Sequence, residues 1–577
     1  MRKAFLLVLC TVAALTLRSY AQTHTPGGAI VSSTGLSKGA TVLDVSTFPG
    51  ATMDAKLQAC INAAAPAGTC DARGITGTQV AASTLKVNKS VTILWGAVNY
   101  QTGSLFPGIY VSADNVAFVG LGRGITTIGT SVLYRYALQL GSSSTYPGPN
   151  NFSMSGISMV GPNPNYSGTV NTSGTSVTWV SGSTDFTNLV AGEYIRIGPL
   201  LTPYKISTVN SNTSLTLSTS AGTQSGVPYR VDMYSGDVSI SGTTVTWLSG
   251  DNFTRLASGG NINFGSPGSY TDWDSGHHLL KIQSVNSDTS LTLVAAPSCG
   301  DQSSIPYFIS WDVHGTVSLA CFACQNMHLS NNEFTGWNHT AIGIGSGANH
   351  GIISGNSIHD NPGEGITIYN VGAYAGLPSY HLVTNNQMSY NGLSCFDTNG
   401  RFDTFSNSEC SYNGWANKTG DTANIQIHGS NNTVDGVTAD FGNQANINVD
   451  GSNHTINNVH ACGTTNLYYG VAGDGNGHGI TIGNGATQVA HDTVTNSIFC
   501  NNAGSGIILW YVDQAVIEGN QAYGNGNTGI NVSSSADTNT SLANNVVTGN
   551  SGSQILDRGL HTVQISNRVG PSSRMRP

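Results

Sequence analysis

The chain has 577 residues with a formal net charge of −9; 9% of residues are charged, 39% are hydrophobic and 72 are glycine. Ordinary globular domains carry about 25% charged residues, so this is a β-rich, turn-rich extracellular composition rather than a helical one, with enough apolar residues for a core. The acidic balance and the lack of any basic run exclude nucleic acid as a partner.

Arg2 and Lys3 precede the apolar run Ala4–Leu17, and Ser19-Tyr20-Ala21 is a small-x-small cleavage site before Gln22. Residues 1–21 therefore read as a signal peptide, and the mature chain as secreted, extracellular or periplasmic. The run is too short to span a bilayer, and no other segment does so. Cys10 lies inside the run, not just after a cleavage site, so no lipid anchor is expected. Removing Cys10 from the ten cysteines leaves an odd nine. Cys60 and Cys70 close a short loop suited to a disulfide in an oxidising compartment. Cys321-x-x-Cys324 has no second pair at zinc-ribbon spacing, so these read as strand-borne or disulfide-bonded thiols rather than a metal or redox pair.

After a disordered leader, 22–40, residues 41–165 hold an N-terminal cap and the first extended segments. Met53, Leu57, Ile61 and Ala64 recur at helical spacing. The apolar-rich stretches SVTILWGAV, NVAFVGLG and NFSMSGISMVG follow.

Residues 168–309 break the pattern and contain a duplication. Ser173–Gly182 (SGTSVTWVSG) matches Ser241–Gly250 (SGTTVTWLSG), and Lys205–Leu217 (KISTVNSNTSLTL) matches Lys281–Leu293 (KIQSVNSDTSLTL). Each copy has about five alternating strands with tight turns, the pattern of a small antiparallel barrel or sandwich. The pair reads as an inserted spacer or oligomerisation module, with carbohydrate binding as the alternative. The second copy adds SYTDWDSGHH, with Asp272, Asp274, His277 and His278. It reads as a solvated excursion, although carboxylates and imidazoles also suit divalent cations.

Residues 312–559 are a stack of similar segments, each about 22 residues long with insertions. The unit N-x-Φ-x-x-N recurs at Asn356/Asn361, Asn386/Asn391, Asn496/Asn501, Asn520/Asn525 and Asn545/Asn550. An apolar–x–apolar pair also recurs through the stack: GITI at 365–368, NIQI at 424–427, NINV at 446–449, GITI at 479–482, GIIL at 506–509 and GINV at 529–532. That period suits one turn of a parallel β-helix, with Gly and Asn at left-handed corners and stacked asparagines forming amide ladders. On these residues the chain resembles the right-handed parallel β-helix proteins of the pectate-lyase-like superfamily. The resemblance implies an all-β, right-handed parallel β-helix, and it likens the 53–64 segment to the short helix that covers the first coil. The tail, 560–577, is polar and covers the last coil before fraying. The architecture hosts lyases, hydrolases, epimerases and non-catalytic spikes, so it does not set the function.

Coils rise by about 4.8 Å, so outward residues of successive coils become neighbours. The residue after each apolar pair gives the row Tyr369, Phe396, His428, Asp450, Gly483 and Trp510; Phe396 is placed by aligning 393–395 with 366–368. The position inside each pair gives Thr367, Ser394, Gln426, Asn448, Thr481 and Ile508. Such a mixture of aromatics and amides suits sugar rings and hydroxyls, so polysaccharide is the expected partner. Insertions beside this strand add Tyr374, Trp415, Lys418, Asp421, Tyr468, Tyr469 and Asp474.

Between Lys281 and Arg558 the only basic side chains are Arg401 and Lys418. A lyase acting on a uronate polymer needs a base and a cation that stabilises the resulting anion. Lys418 as base with Arg401 as neutraliser fits, with His428 as the alternative base; a carboxylate one coil away at Asp450 would orient that imidazole. Calcium held by Asp397, Asp421 or Asp450 is an alternative neutraliser. A glycoside hydrolase would use Glu364 with Asp397 or Asp450. A non-catalytic glycan-binding or surface-spike protein is the rival from another class. Gly477–Gly483 (GHGITIG) looks like the GHG motif of polygalacturonases, but Ala423 and Ala445 stand where that family's aspartates belong, and Ile508 and Trp510 where its basic residues belong. GHG is therefore read as a turn.

Overall fold

The computed structural model describes residues 41–572 except 134, 143–147, 163–166, 183–184, 188, 199–201, 232–234, 266–279, 310–315, 370–375, 415–422 and 465–476. The signal-peptide reading, the leader and the SYTDWDSGHH segment lie outside the described residues. None of the described helices is long and apolar enough to cross a membrane.

The short strands wind into a parallel β-helix. Successive coils build one sheet of fifteen strands, a second of thirteen, and a third face of eight strands that continues as five more. Single bridges Glu409–Thr438–His460 join the two parts of the third face. In the thirteen-stranded sheet the first residues of the expected apolar pairs, Ile366, Ile425, Ile447, Ile480, Ile507 and Ile530, stack in register, with Phe396 between Ile366 and Ile425. All seven are buried. β-Branched side chains suit this pleated, packed surface, and each coil covers its apolar row with those of its neighbours.

The corners carry the asparagines. One buried amide ladder runs Asn361–Asn391–Asn413–Asn424–Asn446–Asn502–Asn525–Asn550–Gln554, each Nδ2 donating to the next side-chain oxygen over 2.7–3.3 Å. Asn496 and Asn501, expected in such ladders, instead occupy exposed corners at φ +51° and +52°. Their successors Ser497 and Asn502 take the buried positions.

The helix Met53–Ala63 buries Met53, Leu57, Cys60 and Ile61, and the Cys60–Cys70 disulfide ties it to the first coils. Gln58 donates to Lys86 O (3.1 Å) and accepts from Lys86 N (2.9 Å), so its amide satisfies the open edge of strand Leu85–Val87. An uncovered edge would be a template for unwanted pairing.

The insertion forms two closed six-stranded antiparallel barrels, Ser167–Val231 and Ser235–Phe308, with one strand more per copy than expected. The β-helix resumes without losing a rung, for Tyr136–Leu140 pairs with Val317–Cys321 and Ser153–Ser155 with His328–Ser330. The barrels dock through unlike faces. In the second barrel Asp237 accepts from Tyr194 of the first (3.2 Å) and is ion-paired with Lys205. Gly192 lies so close to Gly250 that a Cβ there would meet its nitrogen at 2.4 Å.

Cys321 and Cys324 form a disulfide, as do Cys395 and Cys410, and Cys462 and Cys500. Cys299 is the free thiol among the described residues.

One placement is corrected. Phe396, expected on the outer face as a substrate contact, points inward and stacks on Phe405 at 4.7 Å. The strand of that coil is Phe396–Thr398, not 393–395, so Asp397 pairs with Thr367 and Gln426. Asp397 thus takes the outward position given to Ser394, and Asn399 the one given to Phe396.

Candidate active site

The outer face of the thirteen-stranded sheet carries two adjacent rows. The central row is Thr367, Asp397, Gln426, Asn448, Thr481 and Ile508. Each coil then adds a residue whose N–H donates to the strand of the preceding coil: Tyr369, Asn399, His428, Asp450, Gly483 and Trp510. Strand alternation places both sets outside because the residues between them, such as Ile427 and Val449, are buried inside.

The rows converge on His428. Its Nδ1 lies 3.3 Å from Asp450 Oδ2 of the following coil, and its Nε2 lies 3.8 Å from Asp397 Oδ1 of the preceding coil. The imidazole is 21% exposed. Asn448 Nδ2 donates to Asp450 Oδ2 (3.2 Å) and to Gln426 Oε1 (3.0 Å), which fixes the carboxylate beside the imidazole. Asp450 Oδ1 is buried and has no hydrogen-bond partner among the described residues. With Asp450 next to Nδ1, the proton belongs on that nitrogen. Nε2 faces the Asp397 carboxylate at 3.8 Å, beyond hydrogen-bond distance for that pair.

Aromatic residues bracket this centre. Tyr369 stands two coils before His428 in the row; its ring covers Gly343 of the coil before its own, where a Cβ would lie 3.3 Å from it. Burial pushes the Tyr369 hydroxyl above the usual phenol range. Trp510 stands two coils after Asp450, is 42% exposed, and lays its indole over Gly485. At about 4.8 Å per coil, each lies on the order of 10 Å along the axis from the centre.

The other expected residues fall as follows. Gln426 is on the central row but fully buried. Glu364 lies to the side, where it accepts from the Thr367 hydroxyl, which is itself 3.0 Å from that of Thr340. Arg401 is exposed at the corner after Asn399 and Gly400. Asp397 and Asp450 lie on opposite sides of His428. Lys418, Trp415, Asp421, Tyr468, Tyr469, Tyr374 and Asp474 lie outside the described residues. His478 pairs with Ala445, the register on which the GHG comparison rests.

Sequence reasoning passed over a buried polar row at the corner behind the site. Backbone N–H groups link His381 to Asp403, Asp403 to Asn432, Asn432 to His454, and His454 to Asp492, over 2.8–3.1 Å. Burial pushes the Asp403 and Asp492 carboxyls up to about 7 and the His381 and His454 imidazoles down to about 4. In the structure each of these residues directly follows an exposed corner residue with positive φ, namely Tyr380, Phe402, Asn431, Asn453 and His491, a marker that the sequence alone does not display.

No family model matches the sequence, and no curated protein matches it. Among solved structures, the mannuronan C-5 epimerase AlgE6 A-module of Azotobacter vinelandii is similar with a TM-score of 0.43 at 9% identity, over 92% of this chain and 99% of that one. The catalytic unit of the GH87 alpha-1,3-glucanase of Streptomyces thermodiastaticus is similar with a TM-score of 0.39 at 10% identity, over 92% and 69%. The alginate lyase AlyF-OU02 in complex with G6 is similar with a TM-score of 0.39 at 11% identity, over 96% and 92%. These are likenesses of architecture, and the fold itself is read from the strand register: a parallel β-helix, as the resemblance to the pectate-lyase-like superfamily implies.

Proposed function

We propose that the chain is an exported carbohydrate-active enzyme that binds a polysaccharide along the outer face of the thirteen-stranded sheet and cleaves a uronate-containing chain by β-elimination. The observation that carries this reading is the His428 imidazole, set on the outer face between the Asp450 and Asp397 carboxylates of the two adjacent coils. In the step, Nε2 takes the proton from the carbon beside the uronate carboxylate. The electron pair left behind becomes the new double bond, and the glycosidic oxygen departs with a proton from solvent. Arg401 supplies the charge that stabilises the developing anion, and Lys418 is the alternative base. The oxygen donors of Asp397 and Asp450, including the unused Asp450 Oδ1, are of the hard kind calcium takes. A bound calcium would supply neutralising charge in place of Arg401. Tyr369 and Trp510 offer apolar faces for sugar rings on either side.

Hydrolysis is the second reading, because Asp397 and Asp450 flank His428 from coils two apart. Inverting hydrolysis uses carboxyls roughly 6.5–9.5 Å apart. Purified protein would be screened against a glycan panel for ultraviolet-absorbing unsaturated ends and for reducing ends, with and without a chelator. Elimination predicts both kinds of end, lost in His428→Ala. Reducing ends without absorbance would replace elimination by hydrolysis, and binding without either would make the chain a glycan-binding protein.

A further inference from the structure

We propose that Asp440, His460, Cys462 and Cys500 form a redox-gated site for a thiophilic divalent cation of the zinc class. The site is on the third face of the β-helix and is independent of the polysaccharide reading.

His460 and Cys462 are two apart on the strand His460–Cys462, with buried Ala461 between them, so both side chains point out of the β-helix. Cys500 pairs with Cys462 one coil on, their Cα atoms 4.6 Å apart. The disulfide they form therefore lies outside the apolar core. Around it stand groups that a plain cross-strand disulfide does not use. His460 Nδ1 donates to both oxygens of Asp440 at 3.0 Å, which leaves Nε2 as the lone-pair nitrogen. That Nε2 lies 3.5 Å from Cys462 Sγ. Cys500 N donates to the same sulfur at 3.1 Å, and Cys462 N donates to Asp440 Oδ1 at 2.8 Å.

One imidazole nitrogen and two sulfurs all lie within 4.8 Å of one another. Zinc–sulfur bonds of about 2.3 Å and zinc–nitrogen bonds of about 2.0 Å set the ligands of a tetrahedral ion roughly 3.4–3.8 Å apart. The Nε2–Sγ separation already meets this, and turning one cysteine side chain opens the sulfurs to it. The carboxylate on Nδ1 is the outer partner that fixes a metal-binding imidazole, and the N–H bond to sulfur supports a thiolate. His460 is 43% exposed, which leaves the fourth position to water.

Oxidised, the sulfurs are joined and the site is closed. An external dithiol supplies two electrons and two protons, becoming a disulfide itself, and frees both thiols. These release their protons to solvent as the cation binds.

The full chain, reduced with a phosphine under anaerobic conditions, would be titrated with cobalt(II). The expected result is stoichiometric binding with a thiolate-to-cobalt charge-transfer band, displaced by zinc and absent before reduction. Asp440→Asn should weaken binding about 10–100-fold, and the Cys462→Ser/Cys500→Ser double variant should abolish the band although the other cysteines remain. A band equally strong in the double variant, or none in the reduced wild type, overturns the proposal. If circular dichroism shows that reduction melts the fold, the decision passes to Cys500→His in unreduced protein. This variant cannot form the disulfide and should bind cobalt directly; a folded variant that does not bind overturns the proposal.

Discussion

The Nδ1 of His428 stands 3.3 Å from the carboxylate of Asp450, a residue brought to it by one complete turn of the β-helix. The contact fixes the tautomer and the direction of the ring, so its value to a reaction lies in orientation rather than in stability. Replacing Asp450 by Asn keeps the shape but lets an amide N–H compete for the ring nitrogen. The variant is expected to fold normally, to lose on the order of 10–100-fold in kcat on the active glycan, and to change KM little. An unchanged kcat would remove Asp450 from the site.

Much of this arrangement was legible because the β-helix translates sequence period into spatial neighbourhood. Residues such as Ile366 and Ile425 mark the inner row, and one residue beyond each pair lies the outer row, so His428 and Asp450 could be placed together from spacing alone. The Phe396 coil failed for a physical reason. Aligning 393–395 with 366–368 sets its strand three residues early, with Leu393 in the inner position. The true inner residue is an aromatic that stacks on Phe405. The shift left Asp397, expected only as a calcium ligand or hydrolase carboxylate, off the outward row, whereas the structure places it across His428 from Asp450. The buried corner row from His381 to Asp492 was illegible for another reason: imidazoles and carboxyls there do work usually done by asparagine, and composition gives no hint that they are inside.

The amide ladder makes its own demand on stability. Asn424 Oδ1 accepts from Asn413 N and Nδ2 (2.9 and 3.1 Å), and its Nδ2 donates to Asp440 O and Asn446 Oδ1 (2.9 and 3.0 Å). Asn424→Ala would leave buried donors and acceptors unpaired in two neighbouring coils. A buried polar group left without a partner costs about 1–3 kcal/mol. Thermal unfolding should show a loss of that order or more, whereas Asn496→Ala, at an exposed corner, should change the midpoint little.

The cysteine pairing predicts one accessible thiol. With Cys60–Cys70, Cys321–Cys324, Cys395–Cys410 and Cys462–Cys500 bonded, Cys299 remains among the described residues. Titration of unreduced protein produced without residues 1–21 with a thiol reagent should give one equivalent, and Cys299→Ser should give none with an unchanged melting temperature. More than one equivalent would show that a pair is open.

The corner row ties stability to pH through two opposing effects. Asp403 rises from its ordinary 3.8 to about 7 because it is buried, although it accepts from His381 N and the Thr398 hydroxyl. Between those values the folded chain holds a proton that the unfolded chain has released. This contribution is therefore present below about pH 4 and is lost as pH rises toward 7, at about 1.4 kcal/mol per pH unit. His381 falls from 6.5 to about 4, again by burial, so the unfolded chain binds the extra proton and stability grows from pH 4 to 6.5. The two slopes oppose each other across that window, which hides both in the wild type. Asp403→Asn keeps an acceptor for His381 N and removes the carboxyl slope alone. Its melting temperature should match the wild type near pH 4, exceed it progressively toward neutrality, and hold a constant margin above about pH 7. A margin that does not vary with pH would show that the Asp403 carboxyl is ionised in the fold at all these values, and the buried row would then not carry the proton assigned to it.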